Sequence, residues 1–169
     1  MRITKMIAVV AFAVFGFTQI SAQNADAKIT LTKIVETSAD DVWAELRKLD
    51  NIDKISSFVG KVEFTGPKGI GGSRVCIAPD GQGKFKENII AFDDAARSYS
   101  YAVVEGVPAT GMVNNFKVVD LGYQKSMIVW TGNYDAFVEN PQMTEEQFSG
   151  FLNQACSEMM ANVALAATK

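Results

Sequence analysis

The chain has no histidine, so it cannot build a Ser-His or Cys-His nucleophile pair, an imidazole general base or a His-ligated zinc site. It has two cysteines, Cys76 and Cys156. These are too few for a cysteine-only metal site and too far apart in sequence for a redox CxxC pair. They form either a single bridge, favoured by an oxidising compartment, or two buried thiols, favoured by the strict Cα spacing a bridge requires. Asp93-Asp94 supplies too few oxygen ligands for calcium. No metal and no cofactor are expected. Basic charge is not in excess either, with 16 Lys+Arg against 19 Asp+Glu. Sequence-independent nucleic-acid binding needs a basic surface that displaces phosphate counterions, so nucleic acid is not expected as a partner. There is no internal repeat, low-complexity tract or linker.

The one long apolar run stands at the start. Arg2 and Lys5 precede the unbroken stretch Met6 to Phe17, and Thr18-Gln19-Ile20-Ser21-Ala22 follows it. This order of basic, apolar and small-residue regions reads as a secretory signal peptide over residues 1–22. The run is shorter than the roughly 20 residues a membrane helix needs, and no later segment comes closer. Cleavage after Ala22 is favoured by its nearness to the apolar run, although Ala25-Asp26-Ala27 offers a second site. With no lipobox cysteine, the processed chain is expected to be periplasmic or secreted, without a stable membrane span. Removing 22 of 169 residues leaves 147, the size of one domain spanning 23–169, and removing Arg2 and Lys5 leaves 14 basic residues against 19 acidic, a net charge of -5. With 48% apolar and 21% charged residues in the whole chain, a substantial core can be buried.

Lys28 to Thr37 is β-branched and alternating, which predicts a strand. Ser38-Ala39-Asp40-Asp41 resembles a capping box ahead of Val42, Trp43, Leu46 and Leu49 at helical spacing, and Asn51 to Ser57 allows another helical turn. Phe58 to Thr65 reads as a strand and Gly66 to Gly72 as a hairpin connection. That connection leads into a strand, so it lacks the helix N-terminus of a phosphate loop. Five further strands follow at Ser73 to Ala78, Lys84 to Phe92, Arg97 to Glu105, Met112 to Asp120 and Ser126 to Asp135. Asp80-Gly81, Asp93-Asp94, Gly106-Val107-Pro108 and Leu121-Gly122 separate them. Pro141 and the box Thr144 to Gln147 start a long helix ending near Ala167, with Phe148, Phe151, Leu152, Ala155, Met159 and Val163 on one side. The class is α+β. The terminal helix alone is long enough to cover the inner face of a curved antiparallel sheet, and a partly open cavity between them is expected.

This order, with the strings Thr37-Ser38-Ala39-Asp40-Asp41-Val42-Trp43, Gly71-Gly72-Ser73-Arg74, Glu87 to Asp93, Tyr99-Ser100-Tyr101 with Glu105-Gly106-Val107-Pro108, and Val129 to Tyr134, resembles the START-like superfamily. Within it, the chain is similar to the polyketide cyclase/dehydrase and lipid-transport group, SRPBCC. The resemblance implies a helix-grip fold, a curved sheet of about seven strands wrapped around a long C-terminal helix, with two short helices after the first strand. Plant abscisic-acid receptors and the birch-pollen-allergen group look like distant relatives that bind small apolar or amphipathic ligands under that helix. By the same resemblance, Ala78 to Lys84 occupies the position of an entrance loop, although a hairpin turn explains its glycines equally well.

Strand alternation places Phe85, Glu87, Ile89 and Ala91 on one face and Lys84, Lys86, Asn88 and Ile90 on the other. A carboxylate among apolar neighbours needs a cation, hydrogen bonds, water or a proton, and Arg74 is the natural partner on the preceding strand. The pair either serves a ligand or merely orders the sheet. Tyr99 and Tyr101 share a face with Val103, as do Met112, Asn114 and Phe116, and Ile128, Trp130 and Tyr134. Polar groups interleaved on an apolar face favour a pocket over a solid core. The candidate ligand-binding residues are therefore Arg74, Phe85, Glu87, Tyr99, Tyr101, Met112, Asn114, Phe116, Trp130, Phe151, Ala155 and Met159. The expected function is binding or carriage of a small hydrophobic or amphipathic molecule. A polyketide-cyclase-like enzyme using buried Glu87 and an accessory protein that contacts a protein partner and needs no ligand remain as alternatives.

Overall fold

In a computed structural model, residues 27–169 are described, so the signal expected over residues 1–22 lies outside the described residues. Strand β1 (Ile29–Val35) leads into two short helices, α1 (Ala39–Leu46) and α2 (Ile52–Ile55). Ser38 caps α1 by accepting the Asp41 backbone N–H at 3.1 Å. Then come β2 (Lys61–Thr65), β3 (Ser73–Ile77), β4 (Lys84–Asp93), β5 (Ser98–Glu105), β6 (Ala109–Thr110), β7 (Met112–Gly122), β8 (Lys125–Asn133) and β9 (Ala136–Phe137). The long helix α3 (Glu145–Ala167) closes the chain. A complete capping box starts it, with Thr144 Oγ1 accepting the Gln147 N–H at 3.2 Å and Gln147 Oε1 accepting the Thr144 N–H at 2.8 Å.

Seven strands form one antiparallel sheet in the order β1-β8-β7-β5-β4-β3-β2, with β1 brought to the far edge beside β8. Helix α3 packs against β1, α1 and α2, and its apolar side joins the sheet's inner residues in a single core. This is the helix-grip arrangement. A two-stranded ribbon of β6 and β9, not foreseen from the sequence, ties the segment after β5 to the segment after β8.

Several expected boundaries move. β2 begins at Lys61 rather than Phe58, because Phe58 and Val59 belong to the crossing from α2 and turn toward the core side. The β7–β8 turn sits at Tyr123-Gln124, both with positive φ (52° and 58°), rather than at Leu121-Gly122. Consecutive left-handed residues match the twist of a two-residue hairpin.

The alternation expected along Lys84 to Phe92 also fails at one point. Ile89 pairs with Tyr101 and Ala91 with Ser100, so Ile90 is an extra residue. Beyond this bulge the parity reverses: Ala91 is exposed, while Phe92 packs on Trp43 with ring centroids 5.5 Å apart. On β5, Val104 is skipped in the same way, leaving Val103 buried and Val104 outside. Bulges bend the strands that carry them, consistent with a sheet that curls around α3.

The buried side of α3 is wider than the expected stripe. Cys156 and Met160 are fully inside, whereas Phe151 is 37% exposed. A helix embraced by the sheet and by α1, α2 and β1 buries a broader arc than one resting on a flat layer. Among the described residues, no helix is long and apolar enough to cross a membrane.

Candidate functional site

The register of β3 and β4 sets Arg74 directly opposite Glu87, and both are buried, at 1% and 5% exposure. Arg74 Nε donates to Glu87 Oε2 in a salt bridge. Arg74 NH1 donates to the Leu49 carbonyl at 2.7 Å, and the guanidinium lies 5.0 Å from the Tyr101 ring centroid. Leu49, fully buried, holds a left-handed φ of 64° between α1 and α2. Its carbonyl thereby reaches the cation across the interior. Burial works against the Arg74 charge, but the facing Glu87 carboxylate, together with smaller contributions from Tyr99, Cys76 and Tyr101, more than offsets this and holds the guanidinium firmly protonated.

Beside this pair lies a partly open cavity of about 80 Å³. Phe85, Glu87 and Arg74 border it from β3 and β4, Tyr101 and Val103 from β5, Met112 and Asn114 from β7, and Trp130 from β8. Helix α3 supplies Phe151, Leu152, Ala155, Cys156 and Met159. Tyr99 and Phe116 stand outside this lining. They are packed 5.6 Å apart as part of the aromatic core with Trp43 and Tyr101.

The lining also includes Ile52, Ser56, Phe58, Val59 and Val107, which the strand reading passed over. Phe58 and Val59 were hidden by their assignment to a strand. A break in alternation before Lys61 is the signal that could have exposed them.

The inner wall is organised by Trp130. Its indole N–H donates to the Tyr101 hydroxyl at 3.2 Å, and its ring lies over Gly132. A Cβ at Gly132 would come within 2.5 Å of Trp130 Cη2 and 3.1 Å of Asn114 Oδ1. Burial, reinforced by the Glu87 charge, pushes the Tyr101 phenol well above its ordinary range. Burial likewise pushes the Cys76 thiol up to about 12 and Cys156 higher still. Both cysteines are free and buried, so these thiols stay neutral and poorly nucleophilic.

A second, more open pocket of about 470 Å³ adjoins the first. Ala78, Pro79, Asp80, Gly83 and Lys84 form one rim, Gly106-Val107-Pro108 another, and Phe148 and Met143 the third. The Ala78 to Lys84 loop is a closed hairpin, with Ala78 N–H donating to the Gly83 carbonyl at 2.8 Å. Gly106 is required at the opposite rim: its φ is +87°, and a Cβ there would lie 2.1 Å from the Lys84 carbonyl oxygen. Phe58, Phe85, Val107 and Phe151 line both spaces and separate them. Phe58 and Phe151 meet edge to face with centroids 5.1 Å apart. Phe58 is held by its neighbour Ser57, whose hydroxyl donates to Glu158 Oε2 at 2.9 Å on α3.

Among solved structures, the chain is similar to the aromatase/cyclase Zhui from Streptomyces sp. R1128, with a TM-score of 0.71 at 18% identity, covering 83% of this chain and 92% of that one. It is similar to the protein XoxI from Bacillus cereus, with a TM-score of 0.71 at 17% identity over 83% of this chain and 95% of that one. A norcoclaurine synthase point mutant from Thalictrum flavum, solved with a transition-state analogue, gives a TM-score of 0.62 at 22% identity over 83% and 95% of the two chains. At these identities the likeness concerns the fold. Comparison with curated proteins found no match. The family model described as polyketide cyclase / dehydrase and lipid transport matches residues 26–167, and the chain belongs to that family.

Proposed function

We propose that this protein binds or carries a small hydrophobic or amphipathic molecule in the space between α3 and the sheet. The observation that carries this reading is a partly open, mostly apolar cavity bordered also by a neutralised ion pair and a buried asparagine. A dry core of the same size would avoid those polar groups. At about 80 Å³ the inner cavity admits only one end of a ligand, since pockets for drug-sized molecules run to roughly 300–1,000 Å³. The rest of the molecule occupies the outer pocket, and Phe58 and Phe151 part to let it through.

Glu87, already engaged by Arg74, supplies cavity polarity rather than proton transfer. Arginine does not exchange protons at accessible pH and no histidine is present to complete an acid–base pair. The site residues are those bordering the cavity, with Arg74 and Glu87 organising it. Residues 1–22 direct the chain out of the cytoplasm and are removed, leaving one domain over 23–169. N-terminal sequencing of the exported protein tests that part.

Native mass spectrometry of protein purified from its own source, searching for a co-purifying small molecule, tests the binding reading together with a saturable change in Trp130 emission on titration of a Trp43→Phe variant with naphthalene. A bound mass and saturable quenching support it. Neither appearing overturns it. Substrate turnover abolished by Glu87→Gln with unchanged ligand affinity would instead establish a cyclase-like enzyme.

A further inference from the structure

Asn114 is 2% exposed and borders the inner cavity, yet its Oδ1 is fully buried and accepts no hydrogen bond among the described residues. A buried acceptor left without a donor is costly and calls for an explanation. The neighbouring groups do not supply the donor in this arrangement. Trp130 has a single N–H, already given to Tyr101. Gly132, the cross-strand partner of Asn114 on β8, has no side chain. Met112 and Phe116, on the same face of β7, are apolar.

The opposite deficiency lies across the ladder. Tyr101 is the direct partner of Asn114 on β5, and its hydroxyl accepts from Trp130 but donates to no acceptor among the described residues. With its ionisation driven far up by burial, this hydroxyl keeps its proton. The inner wall therefore presents, on adjacent positions, an acceptor lacking a donor and a donor lacking an acceptor. The group that complements both is a hydroxyl, which donates once and accepts twice.

We infer that the inner end of the cavity selects a ligand carrying an alcohol or phenol hydroxyl, which donates to Asn114 Oδ1 on the face of β7 opposite Tyr101. This rests on the cavity being a ligand site and narrows the ligand's chemical class. A ketone or an ether accepts from Tyr101 but leaves the Asn114 Oδ1 acceptor unpaired, and a hydrocarbon leaves both groups unpaired. Sites that hydrogen-bond a hydroxyl discriminate strongly against analogues that lack it, because the polar wall is then stranded.

The test is calorimetric titration of the unaltered protein with three probes of one skeleton: naphthalene, 2-naphthol and 2-methoxynaphthalene. The expected result is 2-naphthol binding about tenfold or more tightly than naphthalene, despite its better solvation in water, with the methyl ether, which pairs Tyr101 alone, falling between the two. In Asn114→Leu, naphthalene binding persists and the preference for 2-naphthol disappears. Equal affinity for naphthalene and 2-naphthol in the unaltered protein overturns the inference while leaving the cavity reading intact. A preference that survives in Asn114→Leu overturns the assignment to Asn114. Binding of none of the three overturns both. The three-probe comparison on the unaltered protein decides the matter even if the variant does not fold.

Discussion

Arg74 and Glu87 are direct cross-strand partners on β3 and β4, and their charges meet inside the protein beneath the ring of Tyr101. The pair is nearly inaccessible to solvent, with side-chain exposures of 1% and 7%. Removing one member strands the other in a medium that does not solvate it, at a cost of about 3–5 kcal/mol. Urea unfolding is therefore expected to show Glu87→Gln and Arg74→Met each destabilised on that scale, with the double variant Arg74→Met/Glu87→Leu recovering much of the loss. If the single variants unfold at the same urea concentration as the unaltered protein, the pair is not structural.

The two thiols make stability fall in alkali. In the unfolded chain they ionise near the ordinary value of 9.0, whereas burial and then Glu87 hold Cys76 neutral to about 12 and Cys156 beyond that. Above pH 9 the unfolded state loses protons that the folded state keeps, so the thiols' contribution is complete below that pH and is lost progressively as pH rises toward 12. Denaturation midpoints measured from pH 7 to 10 should be level and then decline, and Cys76→Ala/Cys156→Ala should flatten the first part of the decline. Thiol titration should find both groups reactive only after unfolding, without reductant.

Phe151 is expected to control access rather than affinity. At 37% exposure and in edge contact with Phe58, its replacement by Ala should cost about 1–2 kcal/mol, less than the roughly 3–5 kcal/mol of a fully buried Phe. Stopped-flow mixing with 2-naphthol should show Phe151→Ala raising association and dissociation rates together. A variant with unaltered rates removes the Phe58–Phe151 pair as the partition between the two pockets.

Gly132 keeps the floor open for the Trp130 indole. Adding a Cβ, within 2.5 Å of Cη2, forces the ring away from Tyr101 and should cost about 1–3 kcal/mol through overpacking. In a Trp43→Phe background, Gly132→Ala should shift the emission of the remaining tryptophan, whereas an unchanged spectrum would show that the ring has room to spare.

Much of this was visible in the order of residues. Alternation on either side of the bulges identified Glu87, Tyr101, Asn114 and Trp130 as inward-facing, because a strand's side chains change face at every residue. The Thr144 box located the start of α3 for a similarly local reason, since a cap is satisfied within four residues. The extra residue at Ile90 could not be read, because a bulge is defined by the partner strand and no local pattern records the pairing. The same is true of Phe58, which resembles the start of β2 until α3 brings Phe151 against it.

Residue order by itself determined the chemistry available to this protein: a chain without histidine, with two thiols and one inward carboxylate awaiting a cation, on a strand-and-helix plan whose hydrophobic periods are local properties. Tertiary structure decided how that chemistry is used. Register placed Arg74 against Glu87 and Tyr101 against Asn114, removed Tyr99 and Phe116 from the cavity into the aromatic core, and left Asn114 Oδ1 without a donor among the described residues. Whether a buried polar atom is satisfied depends on neighbours distant in sequence, so it is settled only when the strands have paired and the helix has closed over them.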